Sequence, residues 1–179
     1  MWRGAGGAFR ASRVTLIRAA IVTISTSVSR RAAEDLSGPR LAALAEEAGC
    51  TVEAMEVVPD DVTLIEDRLR NYVDDGFDFI FTTGGTGLTP DDVTPEATRA
   101  VVQRDAPGFA EAMRIEAARH TPHGILTRGV SGIAGRTLIV NFPGNPRAVD
   151  QLFPVLAPTL GHVAATLRGE SRHGGAGGR

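Results

Sequence analysis

Short apolar runs of strand length alternate with segments of helical periodicity along most of this chain, and this alternation restricts its fold more than any other feature. Residues 19–24 form the first apolar run, and a polar loop follows at residues 25–35. A helix is predicted from Ser37, with Gly49 as its end. Strands and helices that alternate in this way predict an α/β protein with a largely parallel sheet.

The pattern continues through the middle of the chain. Residues 51–58 alternate as a second strand, and residues 59–61 break it. A second amphipathic helix ends at Gly76, and residues 77–81 form the third strand. The third strand leads directly into a glycine-rich loop.

The elements after that loop are less sharply marked. Thr94 is predicted to cap a helix that has Pro95 at its first position, and a longer helix covers residues 107–119. Residues 126–133 and 136–141 form either a hairpin or two adjacent strands. No internal repeat is visible.

The last apolar stretch is expected to be helical. Pro154 and Pro158 are predicted to divide it, because proline interrupts a helix. The apolar residues at 152–160 either line a subunit interface or complete the core.

Composition excludes several classes of site. All 19 Lys+Arg residues are arginine, which excludes a P-loop lysine and a Schiff-base enzyme. The single cysteine, Cys50, cannot form an internal disulfide, so a reduced, cytoplasmic setting is expected, and the residue is predicted to be buried. A net charge of -2 and the absence of an apolar run near ~18 residues predict no nucleic-acid and no membrane partner.

Both ends differ from the middle. Residues 1–18 contain four arginines and no acidic residue, so they are predicted to be a basic disordered arm or to lie upstream of the true start. Residues 170–179 are predicted to be a glycine-rich disordered tail. Residues 19–169 are therefore expected to form one domain.

Four polar or glycine-rich loops leave the carboxyl ends of predicted strands, where open α/β sheets bind their ligands. They cover residues 25–35, 59–61, 84–92 and 143–146. Gly84, Gly85 and Gly87 allow backbone N–H groups to approach a phosphate closely. The same glycines suit a tight strand-to-helix turn, so the loop by itself leaves both interpretations open.

Asp92 adds chemistry to the glycine loop. A carboxylate so close to a phosphate cradle repels phosphate unless a cation lies between them, and Mg²⁺ prefers one or two carboxylates with phosphate oxygens. Asp91 or Asp92 would supply that ligand; the alternative is a solvated loop aspartate. Asp60 has an equally ordinary alternative, because either Asp60 or Asp61 suits the cap of the next helix.

Residues 82–98, Thr-Thr-Gly-Gly-Thr-Gly-Leu-Thr-Pro-Asp-Asp-Val-Thr-Pro-Glu-Ala-Thr, resemble the signature of the MogA/MoaB molybdenum-cofactor biosynthesis family. That family includes the bacterial molybdopterin adenylyltransferases and the gephyrin G domain. Four more blocks are similar to the family pattern and occur in its order, at residues 34–39, 107–114, 126–133 and 137–146.

The resemblance implies a three-layer α/β/α molybdopterin-binding fold with a mostly parallel central sheet, commonly assembled as a homotrimer. It implies Mg²⁺-dependent adenylylation of molybdopterin by ATP, with release of pyrophosphate. A downstream molybdenum-insertion protein is a further partner that it suggests. A non-catalytic molybdopterin-binding or scaffold protein of the same fold is the alternative. The related domain of competence-damage proteins is disfavoured, because the chain ends soon after this domain.

Residue roles follow from position in the family pattern. The resemblance implies that Asp92 and Asp60 are catalytic residues and that Asp92 is also a Mg²⁺ ligand. Nucleotide and phosphate binding falls to Ser25, Thr83, Gly84, Gly85, Thr86, Gly87 and Asp91. Molybdopterin binding falls to Pro143, Gly144, Asn145, Pro146 and Arg128.

The chain departs from the family pattern at two positions. Thr26 stands where many members have aspartate, which puts in doubt a role for this loop in metal or ribose binding. Asn145 stands where many adenylyltransferases have serine, which keeps a polar contact but changes its geometry.

Weaker candidates are two histidines and an arginine. His120 and His123 are three residues apart, but without an evident third ligand a surface or capping role is favoured over a metal site. Arg114, like Arg128, would either clamp a phosphate or form a surface ion pair.

Overall fold

The computed structural model describes residues 16–170, which form one six-stranded sheet and seven α-helices. The strands are β1 (Ile17–Ile24), β2 (Cys50–Val58), β3 (Phe79–Thr83), β4 (Arg104–Asp105), β5 (Ser131–Ala134) and β6 (Thr137–Phe142). The helices are α1 (Thr26–Ser29), α2 (Ser37–Glu47), α3 (Val62–Asp74), α4 (Thr94–Val101), α5 (Pro107–His120), α6 (Pro146–Leu156) and α7 (Leu160–Leu167). Two 3₁₀ turns cover Pro122–Leu126 and Ala157–Thr159.

The sheet has the strand order β2-β1-β3-β6-β5-β4. The first four strands in this order run parallel, whereas β5 pairs antiparallel with both β6 and β4. The hairpin is therefore the correct choice for β5 and β6. The sequence pattern did not predict β4, because a strand of two residues shows no periodicity.

Helices cover both faces of the sheet, which confirms the predicted three-layer α/β/α fold with a mostly parallel sheet. Alternate residues of β1 point to opposite faces, with Ala19 and Ile21 on one side and Ala20 and Val22 on the other. Helices α2, α5, α6 and α7 pack on the first face, and α3 and α4 pack on the second.

The apolar C-terminal stretch completes the core. Leu152, Phe153, Leu156 and Leu160 are each at most 1% exposed within the single chain, so they pack against the sheet rather than forming a free surface. The predicted division at Pro154 is wrong, because this proline lies inside α6. Pro154 has no N–H to donate to the carbonyl one turn earlier in the helix. Because Pro154 is exposed, water can bond that carbonyl instead. The break comes instead at the 3₁₀ turn that contains Pro158.

Two further predictions need correction. Thr94 does not cap α4: it is the first helical residue, and its hydroxyl donates to the carbonyl of Gly84 at 2.9 Å. Strand β1 begins at Ile17, two residues before the predicted first strand, and Ile17 and Arg18 pair with Cys50 and Thr51 of β2. Residues 1–15 of the predicted arm and 171–179 of the predicted tail lie outside the described residues.

Within residues 16–170, no helix is both long enough and apolar enough to cross a membrane.

Candidate active site

Two neighbouring cavities open beyond the carboxyl ends of β1, β3 and β6. The first, of about 370 Å³, is lined by Asp60 and is called here the Asp60 cavity. The second, of about 420 Å³, is lined by Asp92 and is called the Asp92 cavity. Gly84, Gly85 and Gly144 line both, so the two cavities adjoin. Each volume lies within the range of small-molecule sites.

The boundary between the cavities consists of backbone. Gly84 follows β3 with φ +99°, and a Cβ atom placed on it would lie 2.2 Å from the carbonyl oxygen of Ile24. A Cβ atom on Gly144 would lie 3.0 Å from the Cα atom of Gly84. Only glycine permits such close approach, so the loops after β3 and β6 meet main chain to main chain.

Asp60 enters the first cavity from the loop between β2 and α3. Its Oδ2 atom accepts hydrogen bonds from the backbone N–H of Thr26 at 2.7 Å and from the Thr26 hydroxyl at 2.8 Å. Its Oδ1 atom lies 3.2 Å from the position that a Cβ atom on Gly85 would take. The capping role belongs to Asp61, whose carboxylate accepts from the N–H of Leu64 at 3.0 Å.

Asp92 reaches the glycine loop from its other end. Its Oδ2 atom accepts from the N–H of Thr89 at 2.9 Å and from the Thr89 hydroxyl at 2.6 Å. Burial alone would raise the pKa of Asp92, but the bonds from Thr89 and from the Gly87 N–H, together with the charge of Arg128, hold it below its usual value. Asp92 is therefore ionised at neutral pH.

The donor set fits a magnesium ion that is shared with a substrate. Among residues 16–170, no group of three or more His, Cys, Asp or Glu side chains could hold a metal ion by itself. Mg²⁺ needs only one or two carboxylates when phosphate oxygens and water complete its coordination. Asp92 in one cavity and Asp60 in the adjoining one are the carboxylates that could contribute to such a site.

Most of the predicted site residues line these cavities. The Asp60 cavity contains Ser25, Thr83, Gly84, Gly85, Gly144 and Pro146. The Asp92 cavity contains Gly84, Gly85, Thr86, Gly87, Pro143, Gly144 and Asn145. Asp91 is exposed and lines neither cavity.

Arg128 also lines neither cavity, although it was predicted to bind molybdopterin. Its guanidinium group donates to the carbonyl of Gly87 at 2.7 Å and to that of Asp92, and it pairs with Glu96. Its backbone N–H donates to the carbonyl of Thr86 at 2.8 Å. The structure therefore places Arg128 behind the glycine loop, where it ties both ends of the loop together.

The remaining candidates have ordinary contacts. His120 pairs with Glu116 at 3.0 Å, whereas His123 lines the Asp92 cavity, so the two histidines differ in role. Arg114 donates to the carbonyl of Gly129 at 2.8 Å. Cys50 is buried, as predicted.

Sequence reasoning missed several residues that line the site. Asp35 lines the Asp60 cavity, where Gly38 and Thr23 donate to its two oxygens at 2.9 and 2.7 Å. Its signal was visible, because it belongs to the acidic block before Ser37. Ala117 and Leu152, which line the Asp92 cavity, follow the ordinary apolar spacing of helices and gave no signal.

A family model and several known proteins match this chain. The family model described as "Probable molybdopterin binding domain" matches residues 20–162. The molybdopterin adenylyltransferase of Haemophilus influenzae is 36% identical over 151 residues, which cover 83% of this chain and 77% of that protein. The molybdenum cofactor synthesis protein cinnamon of Drosophila melanogaster is 37% identical over 145 residues. Those residues are 80% of this chain but only 24% of the fly protein.

A solved structure agrees with these sequence matches. The molybdopterin biosynthesis enzyme MoaB of Thermus thermophilus superposes with a TM-score of 0.81 at 39% sequence identity, covering 86% of this chain and 98% of that one. The predicted resemblance is confirmed by a match over most of the chain, in sequence and in fold. The chain belongs to the molybdopterin-binding domain family of molybdenum cofactor biosynthesis.

Proposed function

We propose that this protein is a molybdopterin adenylyltransferase that transfers the adenylyl group of ATP to molybdopterin. The observation that carries the proposal is the pair of adjoining cavities, with Asp60 and Asp92 on either side of the glycine loop between them. Two cavities that adjoin at a glycine loop suit two substrates that react through their phosphates. The relatives named as molybdopterin adenylyltransferases support the choice of substrates.

The chemistry is an in-line displacement. An oxygen of the molybdopterin phosphate forms a bond to the α-phosphorus of ATP, while the bond from that phosphorus to the bridging oxygen breaks and pyrophosphate leaves. The protein contributes positioning and charge neutralisation. The backbone N–H groups of Gly85 and Thr86 would bind phosphate oxygens, because the Gly84 N–H donates to the carbonyl of Phe142 at 3.1 Å and the Gly87 N–H donates to Asp92. The loop at residues 143–146 would orient the molybdopterin phosphate.

Asp60 and Asp92 would hold Mg²⁺ at this loop. The ion would neutralise phosphate charge in the transition state, which is its usual contribution to phosphoryl and nucleotidyl transfer. Without it, the ionised Asp92 carboxylate beside the phosphates would oppose binding. We therefore expect chelation by EDTA to abolish turnover, and added Mg²⁺ to restore it.

The test is anaerobic incubation of the protein with molybdopterin, ATP and Mg²⁺, followed by chromatography of pyrophosphate and adenylyl-molybdopterin. We expect both products to form in equal amounts, and only when molybdopterin is present. If molybdopterin binds while ATP stays intact, the protein is a non-catalytic molybdopterin-binding protein and the proposal is wrong.

We also propose that the protein acts in the cytoplasm as a homotrimer and passes its product to a molybdenum-insertion protein. Ile115 and Ile125 support an assembly, because these large apolar side chains are 61% and 68% exposed in the single chain. Light scattering measures the mass directly, and a mass of one chain would contradict the trimer.

A further inference from the structure

The two site carboxylates share one kind of contact, a pair of hydrogen bonds from one threonine, to which the Gly87 N–H adds a further bond in Asp92. Thr26 donates its backbone N–H and its hydroxyl to Oδ2 of Asp60, at 2.7 and 2.8 Å. Thr89 donates the same two groups to Oδ2 of Asp92, at 2.9 and 2.6 Å. The threonines belong to different loops, 63 positions apart in the chain by their numbers, so the two arrangements are independent.

The contacts fix each carboxylate from one side. A backbone donor and a side-chain donor that share one oxygen restrict rotation of the carboxylate more than either donor alone. Neither threonine contacts Oδ1. In Asp60 that atom lies 3.2 Å from a Cβ position on Gly85. In Asp92 it is the threonine-bound Oδ2 that lies nearer the loop, at 2.8 Å from a Cβ position on Gly87, against 3.4 Å for Oδ1.

Other aspartates in the same region lack this pattern. Asp35 has both oxygens occupied, one by the N–H of Gly38 and the other by the hydroxyl of Thr23. Asp61 accepts from the N–H of Leu64, as an ordinary helix cap does. The pair of hydrogen bonds from one threonine to Oδ2 therefore distinguishes these two carboxylates from Asp35 and Asp61.

Thr26 has a further link to its partner. While its hydroxyl donates to Oδ2 of Asp60, the same oxygen accepts from the backbone N–H of Asp60 at 3.0 Å. Thr26 therefore fixes both the side chain and the backbone of the residue. A shift of the loop after β2 would break all three bonds together.

We propose that Thr26 and Thr89 are positioning residues, which fix the orientation of the two site carboxylates beside the glycine loop. The inference rests on the proposed function for its kinetic consequence, but its geometric part does not. The hydroxyls of Thr26 and Thr89 thus orient the carboxylates of Asp60 and Asp92 without contacting a substrate.

The experiment compares valine and serine at each position. Thr26→Val and Thr89→Val remove the hydroxyl while keeping the branched shape and the backbone N–H. Thr26→Ser and Thr89→Ser keep the hydroxyl. Thr159→Val is the matched control, because its hydroxyl bonds only the carbonyl of Leu156, at 2.8 Å, and the residue lines neither cavity.

Loss of one hydrogen bond to a charged group predicts that each valine variant lowers kcat by roughly 10-fold to 100-fold. The KM for ATP should change by less than about threefold, because the valine variants alter the orientation of a carboxylate and leave the substrate contacts in place. Serine variants should recover to within about threefold of the parent, and Thr159→Val should match the parent. Equal kcat in valine and serine variants would overturn the proposal.

Crystal structures of the two valine variants supply a readout that needs no activity. We expect Asp60 or Asp92 to rotate away from its present position when the hydroxyl is absent, and to keep it in the serine variants. An unmoved carboxylate overturns the inference even if turnover falls. Should the parent protein form no adenylyl-molybdopterin, the proposed function fails, and these structures still decide whether the threonines position the carboxylates.

Discussion

Asp92 is the single side chain on which the proposed transfer depends most directly. The substitution Asp92→Asn keeps its shape and its contact with Thr89 but removes the charge that would bind the cation. We expect kcat for adenylyl-molybdopterin formation to fall by at least about 100-fold, the usual cost of losing one electrostatic group in a transition state. Pyrophosphate release under anaerobic conditions measures the effect.

The matched control for that prediction is Asp67→Asn. Asp67 is an exposed aspartate on α3 and lines neither cavity, so its substitution changes net charge by the same amount without touching the site. Circular dichroism should show that both variants are folded. Turnover by Asp92→Asn at the parent rate would remove this residue from the mechanism.

The ion pair between Arg128 and Glu96 is expected to make a small contribution to the free energy of unfolding. The side chains are 34% and 45% exposed, so we expect a double-mutant cycle of Arg128→Met and Glu96→Gln to give a coupling of only about 0.5–1 kcal/mol at pH 7. Urea unfolding measures it, and additive effects would contradict the pairing.

The pH dependence of this coupling has a definite sign. The hydrogen bond from Arg128 lowers the pKa of Glu96 in the folded state, so the coupling is present above the pKa of an unfolded glutamate, about 4.3. We expect it to decline as the pH falls below that value toward the lower folded-state pKa. A coupling that grows on acidification would be inconsistent with an ionised Glu96.

Among the secondary-structure elements, the contact between the end of α7 and the start of β3 is the one most open to test. Arg168 donates through Nε to Oδ1 of Asp78 at 2.8 Å, and the Asp78 side chain is only 8% exposed. Removing one partner of a buried pair leaves an uncompensated charge. We expect Arg168→Met to lower the free energy of unfolding by about 3 kcal/mol.

Urea unfolding of Arg168→Met should be compared with Arg136→Met. Arg136 is exposed and lies near the same end of the sheet, so its loss should cost less than about 0.5 kcal/mol. Equal stabilities for the two variants would show that the pair does not secure α7.

Elements with clear periodicity were predictable from the sequence, and those shaped by tertiary contacts were not. Helices α2 and α3 lie where their apolar spacing and terminal glycines predict them. Threonine is a residue type that often caps helices. The hydroxyl of Thr94 nevertheless donates to the carbonyl of Gly84, because the glycine loop folds back onto α4. That choice depends on a long-range approach, which no local pattern records.

The unfolding of the whole molecule can be followed through its single cysteine. Burial, together with the charge of Asp78, raises the pKa of the Cys50 thiol to about 11. At pH 7 we therefore expect iodoacetamide to modify the folded protein at least about 100-fold more slowly than the urea-unfolded chain. Rapid labelling of the native protein would contradict the burial of Cys50 at the start of β2.

The site as a whole was predicted in outline but not in detail. The carboxyl ends of parallel strands meet at one edge of a sheet, so the convergence of four loops followed from the order of the elements. The sequence left open which of Asp60 and Asp61 caps α3, because both spacings are acceptable. The sequence did not predict that the guanidinium group of Arg128 donates to carbonyls of the glycine loop, and a role in molybdopterin binding stays a prediction.

The main-chain contact between Gly84 and Gly144 limits how this protein can diversify. Substitutions in the outer walls of either cavity, at Val28 or Leu126 for example, can reshape what each side admits. The shared boundary is more constrained, because a Cβ atom on Gly84 would lie 2.2 Å from the carbonyl oxygen of Ile24 and one on Gly144 would lie 3.0 Å from the Cα atom of Gly84. The outer walls of the two cavities can therefore change independently of each other, while the main-chain boundary between them stays the same.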